Sequence, residues 1–368
     1  MDASERKVTF IITALEGGGA EAVCVNVANG LAERGWDVTL VILHLGNAAY
    51  VDRISDRVNF QVLGAAYVRH AFFLLLGYIR KHKVRKVVVF TYQLAVMMVL
   101  VRAVSFQRFK LVARNINTLS EVRARAKGWW RNLVARLIDA FYCKVDYIIN
   151  QCKDMQRDLV DLYGVNPERA PVIYNSVNQR IEQYAAALDW EAIEKKNYYL
   201  CVGRLDEQKA FHYAIEAFSK VADESPGLRL KIVGQGRLET QLRETAEALG
   251  VASRVDFEKF QKDIIPFYLG AKATLLTSLY EGFPNVLIES ITLGTPVIAF
   301  DCKSGPREIV DDRNGYLVEH LSVEGLVAAM RNVDGRFDPA TVHESSAPYA
   351  TKYALDAYEN LLLKPCIA

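Results

Sequence analysis

The chain has 368 residues, of which 51% are hydrophobic and 24% charged. These are ordinary values for a soluble α/β protein, and the length exceeds the ~250–300 residues at which a single hydrophobic core stops growing. The six cysteines (Cys24, Cys143, Cys152, Cys201, Cys302, Cys366) form no Cys-x-x-Cys pair and no zinc-like grouping with histidine, which reads as reduced thiols in a cytoplasmic protein.

The formal charge of +2 conceals an asymmetry. Residues 1–180 hold 25 Lys/Arg against 15 Asp/Glu, a net of +10, and the remainder holds 20 against 28, a net of −8. A basic half suits an anionic partner.

Along the first half, apolar runs at 8–12, 38–43, 87–90, 110–113 and 147–150 read as short buried strands separated by helical segments. That alternation implies a parallel sheet covered by helices. Charged residues lead straight into the first run, and Glu16 and Glu21 follow it, so no secretory signal is expected. Residues 71–79 are too few to span a bilayer, which needs about 20. The apolar stretch 87–101 is interrupted by Thr91, Tyr92 and Gln93 and reads as a strand entering a core helix.

The first strand closes on Glu16-Gly17-Gly18-Gly19-Ala20-Glu21 and opens a helix ending near Gly35. Such turns cradle phosphates. The third glycine of Gly-x-Gly-x-x-Gly is missing, which counts against a dinucleotide oxidoreductase. Two basic segments follow. Arg69, Arg80, Lys81, Lys83, Arg85 and Lys86 bracket the apolar residues 72–76. Arg123, Arg125, Lys127, Trp129, Trp130, Arg131 and Arg136 interleave with apolar residues in a helix-like segment. Basic residues opposite Trp and Leu suit an interfacial contact with anionic lipid. A solvated basic face above a buried stripe also fits.

Residues 179–196 are polar and helix-prone, as expected of a crossover between domains. A second alternating series then places strands at 198–202, 228–233, 255–257, 274–276, 297–300 and 315–318. The pattern alone predicts two Rossmann-like halves with a cleft between them, divided as 1–180 and 181–346.

Gly203-Arg204-Leu205 follows the first strand of this series, with Lys209 a few residues on. A cation at the carboxyl end of a parallel strand, with a second one turn later, suits a diphosphate. Two surface cations near a turn fit the same residues. Gly234 and Gly236 end the next strand and permit either close approach to a ligand or a tight turn.

The most informative stretch is Thr277-Ser278-Leu279-Tyr280-Glu281-Gly282-Phe283-Pro284-Asn285-Val286-Leu287-Ile288-Glu289-Ser290. It reads as a strand end, a Gly-Phe-Pro turn and a helix over 284–293, with two glutamates eight positions apart. Unpaired N–H groups at a helix N-terminus between two carboxylates suit a nucleotide-sugar. Two solvated acids on an ordinary strand-loop-helix unit fit too.

This stretch resembles the Glu-x7-Glu signature of the family 4 retaining glycosyltransferases, whose fold is GT-B: two Rossmann-like domains facing each other across a cleft. The resemblance implies that Glu281 contacts the donor sugar and Glu289 the ribose. Gly282, Phe283, Pro284, Asn285 and Val286 would line the donor site. It also implies that Gly203, Arg204 and Lys209 grip the diphosphate and that Gly234 and Gly236 line the nucleotide pocket. Gly18 and Gly19 match the family's first loop and would lie beside the donor. The loop Ser304-Gly305-Pro306-Arg307-Glu308-Ile309 with Asn314-Gly315 also matches a family loop, where Glu308 reads as structural. The terminal helix, 347–368 with its tail, would cross back to the first domain.

Members often carry a histidine after the strand that here ends at residue 113. Asn115 holds that position, and an asparagine orients a hydroxyl but exchanges no proton. In the retaining mechanism the departing diphosphate takes the acceptor's proton, so the departure is tolerable.

No Asp-x-Asp occurs, so no metal and no cofactor are expected. The expected donor is UDP-linked and the expected acceptor is a glycan, for example on a polyprenyl diphosphate. The chain would then lie peripherally on the inner face of the cell membrane, with no nucleic-acid partner. A non-catalytic nucleotide- or glycan-binding protein of the same fold is the alternative.

Overall fold

The computed structural model describes residues 3–16, 18–46, 50–116, 118–120 and 136–366. Arg123 to Arg131 of the second basic segment and Gly17 lie outside them. The chain divides into two compact units, Met1–Ser176 with Thr351–Ala368, and Val177–Ala350.

In the first unit the strands are β1 (Lys7–Ile12), β2 (Asp37–Ile42), β3 (Asn59–Val62), β4 (Lys86–Val89), β5 (Lys110–Arg114) and β6 (Tyr147–Ile149). They form one parallel sheet in the order β3-β2-β1-β4-β5-β6. Helices α1 (Gly19–Glu33), α2 (Phe72–His82), α3 (Tyr92–Ser105) and α4 (Lys153–Tyr163) accompany it. Side chains alternate across a strand, so Phe10 and Ile12 pack on α1 while Ile11 packs with α2 and α3. Both faces are covered, which is why these strands read as continuous apolar runs.

The second unit repeats the plan. Its strands are β7 (Tyr198–Val202), β8 (Arg229–Val233), β9 (Val255–Glu258), β10 (Ala273–Leu276), β11 (Val297–Phe300) and β12 (Gly315–Val318), all parallel, in the order β12-β11-β10-β7-β8-β9. Helices α5 (His212–Val221), α6 (Glu239–Ala248), α7 (Ile265–Gly270), α8 (Asn285–Thr292) and α9 (Val323–Asn332) follow. Numbered within its own unit, each sheet has the doubly wound order 3-2-1-4-5-6.

The last helix, α10 (Thr351–Leu363), belongs to the first unit and lies against α1. Gly30 makes this possible, because a Cβ there would sit 2.6 Å from Leu355 Cδ1. Arg34 pairs with Asp356 (2.6 Å) and Glu359 (2.7 Å), and Trp36 Nε1 donates to Glu359 Oε1 at 2.7 Å. The buried Lys110 ammonium donates to the carbonyls of Leu361 and Lys364, closing the helix C-terminus.

The fold adds one strand to those expected and shortens one helix. Asn-Phe-Gln-Val at β3 pairs with β2 although its alternation is weak, because an edge strand leaves its side chains half exposed. Residues 179–196 form only a short helix, Gln179–Ala185, and a single turn, Trp190–Ala192.

Candidate active site

In an open doubly wound sheet, ligands bind outside the carboxyl ends of the strands where the winding reverses. In the second unit that point lies between β7 and β10, which are neighbours. The loop after β7 carries Gly203, Arg204 and Lys209, and the loop after β10 carries Ser278 and Glu281. The topology therefore brings together two motifs about 70 residues apart in sequence.

The two loops are sewn to each other. Leu279 N donates to Gln208 O at 2.8 Å, Gln208 Nε2 to Tyr280 O at 3.0 Å, and Thr277 Oγ1 to Lys209 O at 3.0 Å. Ala210 is held at φ +46 where the first loop turns into α5. Across this seam Lys209 Nζ lies 2.6 Å from Glu281 Oε1, and Ser278 Oγ donates to the same oxygen at 2.6 Å. Glu281 is 5% exposed. Its Oε2 takes no protein partner among the described residues. The Lys209 stem passes over Gly203, whose absent Cβ would lie 3.1 Å from Lys209 Cε. Arg204 faces solvent, with only a loose 3.6 Å contact to Asp206. One cation is thus fixed and one is left outward.

Gly234 and Gly236 lie directly against neighbouring backbone. A Cβ on Gly234 would sit 1.8 Å from Gly203 O, and one on Gly236 2.3 Å from Leu205 O. The two loops are hydrogen-bonded there, Gly203 N to Val233 O at 3.0 Å and Leu205 N to Gln235 O at 3.1 Å. These glycines let the loop carrying Arg204 lie flat on its neighbour.

Gly282, Phe283 and Pro284 are buried and form the turn into α8, with Pro284 as the capping residue before Asn285 rather than the first helical residue. Phe283 packs on Tyr349, ring centroids 5.7 Å apart. Asn285 and Val286 are the first two residues of α8, at its N-terminus. Glu289, one turn on, accepts from Tyr268 Oη at 2.9 Å. Burial, and then the neighbouring Glu289, raise the Tyr268 phenol well above its usual range, so it remains a donor. Motif reading misses Tyr268, since it lies on α7, 21 residues from its partner.

Glu308 lies in a short helical turn, Pro306–Ile309, and the Glu308 carbonyl accepts from Tyr349 Oη at 2.6 Å. Asn314 is buried and bonded to Ile309 O and Ser345 Oγ.

In the first unit Gly18 caps α1, and its N–H is taken at 3.1 Å by Glu21 Oε2. The protein's own carboxylate therefore occupies that helix end. Gly19 is exposed beside it. Asn115 is buried, with Tyr142 Oη donating to its Oδ1 at 2.8 Å and its Nδ2 donating to Asn150 Oδ1 at 2.9 Å. Gln151 Nε2 and Asn175 extend the network, and Arg114 joins Asn175 to Tyr358. A side chain held in this way braces the β5 and β6 loops.

Among the described residues no group of three or more His, Cys, Asp or Glu is placed to hold a metal ion. None of the described helices is long and apolar enough to cross a membrane.

Two family profiles match the chain: "Glycosyltransferase Family 4" over residues 17–180 and "Glycosyl transferases group 1" over residues 188–333. Among curated proteins, the amylovoran biosynthesis glycosyltransferase AmsD of Erwinia amylovora is 26% identical, covering 86% of this chain and 86% of its own. A Campylobacter jejuni enzyme is 33% identical over 185 residues, 50% of this chain and 49% of its own length. It is described as the N-acetylgalactosamine-N,N'-diacetylbacillosaminyl-diphospho-undecaprenol 4-alpha-N-acetylgalactosaminyltransferase. Among solved structures, Anabaena HepE in complex with UDP and glucose superimposes with a TM-score of 0.78 at 18% identity, covering 98% of this chain and 100% of HepE. The chain belongs to the family 4 glycosyltransferases and has the GT-B fold.

Proposed function

We propose that the chain moves a hexose or N-acetylhexosamine from a UDP-sugar to a hydroxyl of a growing glycan, with retention at the anomeric carbon. The observation that carries this reading is the state of Glu281. Lys209 and Ser278 occupy one carboxylate oxygen and leave the other for a sugar hydroxyl, at the switch point of a doubly wound sheet. Glu289 would hold the ribose, oriented by Tyr268. Arg204 and Lys209 would meet the diphosphate, supported by the first-turn amides of α8.

In the step itself the C1–O bond to the diphosphate breaks and the acceptor oxygen bonds C1 on the same face. The acceptor's proton passes to a phosphate oxygen of the departing UDP. No side-chain base is required, and cations of the protein neutralise the leaving group in place of a metal. Chelator should therefore leave the rate unchanged; loss restored by manganese would refute that part.

The acceptor we propose is a glycan on a polyprenyl diphosphate, as the Campylobacter relative's name describes for that enzyme. It would be met peripherally at the inner membrane face, where a basic first unit is attracted to anionic lipid. The test is UDP release from a panel of UDP-sugars, with and without a lipid-linked acceptor. Acceptor-dependent release is expected from one donor. UDP binding with no release from any donor would make this a binding protein.

A further inference from the structure

Between Asp56 and Glu121 the chain carries eleven Lys and Arg residues and no carboxylate side chain. This stretch includes α2, α3 and the loop after α3; of its cations Lys110 and Arg114 are buried and Arg102 pairs with Asp146, and the others include the exposed Arg80, Lys81, Lys83 and Arg108. α2 buries Leu75, Leu76, Tyr78 and Ile79 and turns Phe73, Leu74, Gly77, Arg80 and Lys81 outward. Those positions fall on one helical stripe, apolar at its start and cationic at its end. Phe73 is 80% exposed. Arg80 Nη2 donates to Val104 O at 2.9 Å, so the stripe continues onto the end of α3, where Val104 is 45% and Phe106 92% exposed.

The backbone makes Phe106 harder to explain by stability. It caps α3 in the left-handed region, φ 59 and ψ 19, where glycine is the least strained residue. A ring exposed on nearly all sides gains little from packing in return. Lys83 caps α2 in the same way, φ 47 and ψ 47. Cations at a helix C-terminus complement its dipole, but that accounts for Lys83 and not for an aromatic.

We propose that this corner of the first unit is a docking surface for an anionic lipid bilayer. Phe106 and Phe73 enter the headgroup–acyl boundary, while Lys81, Lys83 and Arg108 meet lipid phosphates. The exposed Arg80, Lys81, Lys83 and Arg108 beside Phe73 and Phe106 favour an anionic surface over a zwitterionic one. The proposal rests on the reading of the acceptor as lipid-borne and names where the enzyme meets that lipid. It uses none of the donor-site residues.

The full chain is sedimented with phosphatidylglycerol–phosphatidylcholine vesicles and, separately, with phosphatidylcholine alone. Binding is expected only to the anionic vesicles. Phe106→Gly, Phe73→Ser and the pair Lys81→Glu with Lys83→Glu should each weaken it about fivefold or more. The melting temperature of Phe106→Gly should equal or exceed that of the parent, since a strained cap is relieved. Equal binding to both vesicle types, no binding by the parent, or parental binding by Phe106→Gly and the charge pair would overturn the surface. UDP release is followed in the same preparations with a water-soluble acceptor fragment and should be unaffected by these changes. If no donor releases UDP while anionic vesicles still bind, the catalytic reading fails and the docking surface stands.

Discussion

Lys209 Nζ and Glu281 Oε1 are 2.6 Å apart, and the residues come from loops on the two sides of the strand-order reversal in the second sheet. Both side chains are largely withdrawn from water. Removing one member of such a pair leaves the other charge uncompensated, so Lys209 acts both on the carboxylate and on any anion that arrives.

Lys209→Met should therefore lower kcat by about 100-fold or more, the usual scale for losing one electrostatic stabiliser of a developing anion. The acceptor KM should stay within about twofold if this cation serves the leaving group alone. Steady-state rates at saturating donor decide it. An equal loss in kcat and in acceptor affinity would remove Lys209 from the leaving-group role.

Tyr268→Phe tests the ribose contact separately. The phenol is buried and donates at 2.9 Å to Glu289 Oε2. A hydrogen bond to a charged group contributes about 1.5–3 kcal/mol, so the KM for the UDP-sugar should rise roughly 10-fold or somewhat more. The kcat should change less than about twofold, since the bond is the same in ground and transition states. A fall in kcat with unchanged KM would place Glu289 in the chemical step instead.

Gly234→Ala should be severely destabilising, by more than about 3 kcal/mol in chemical unfolding of the second unit, as expected for a strained backbone site with no room. The new Cβ would meet Gly203 O at 1.8 Å. Gly250→Ala is the control. Gly250 also has positive φ (+72), but nothing lies within 4 Å of its Cβ position, so the cost should be about 1 kcal/mol. Similar losses at both sites would show that φ alone matters at Gly234.

How much of this was legible in the sequence depends on the range of the signal. The buried strands announced themselves because both sheet faces are covered, so continuous apolar runs such as 297–300 admit few other readings. The short edge strand β3 did not, since half-exposed residues carry a weak pattern. Glu281 and Glu289 were visible because one loop and one helix hold both. Tyr268 and Ser278 were not, because their roles depend on which carboxylate oxygen they reach. Gly234 and Gly236 were seen as permissive, yet only the crossing backbone of 203–205 reveals what they make room for. Asn115 was placed by analogy with a histidine, and only its neighbours Tyr142 and Asn150 show that its amide is already engaged.

Lys195 gives a pH-dependent test of the scaffold behind Glu289. Its ammonium donates at 2.6 Å to Thr295 Oγ1, which in turn donates to Tyr268 O at 2.7 Å. Burial alone lowers its pKa from 10.5 to about 8. The unfolded chain therefore binds more protons than the folded one between pH 8 and 10.5, and stability should rise with pH across that window. Below pH 8 the buried charge costs on the order of 1–3 kcal/mol. Lys195→Met removes that cost at every pH. The variant should thus be the more stable protein at pH 7 by that margin, on the order of 1–3 kcal/mol, with the gap closing towards pH 10.5. Urea unfolding of both proteins at several pH values measures it. A gap that does not change with pH would mean that packing, and not the buried ammonium, separates the two.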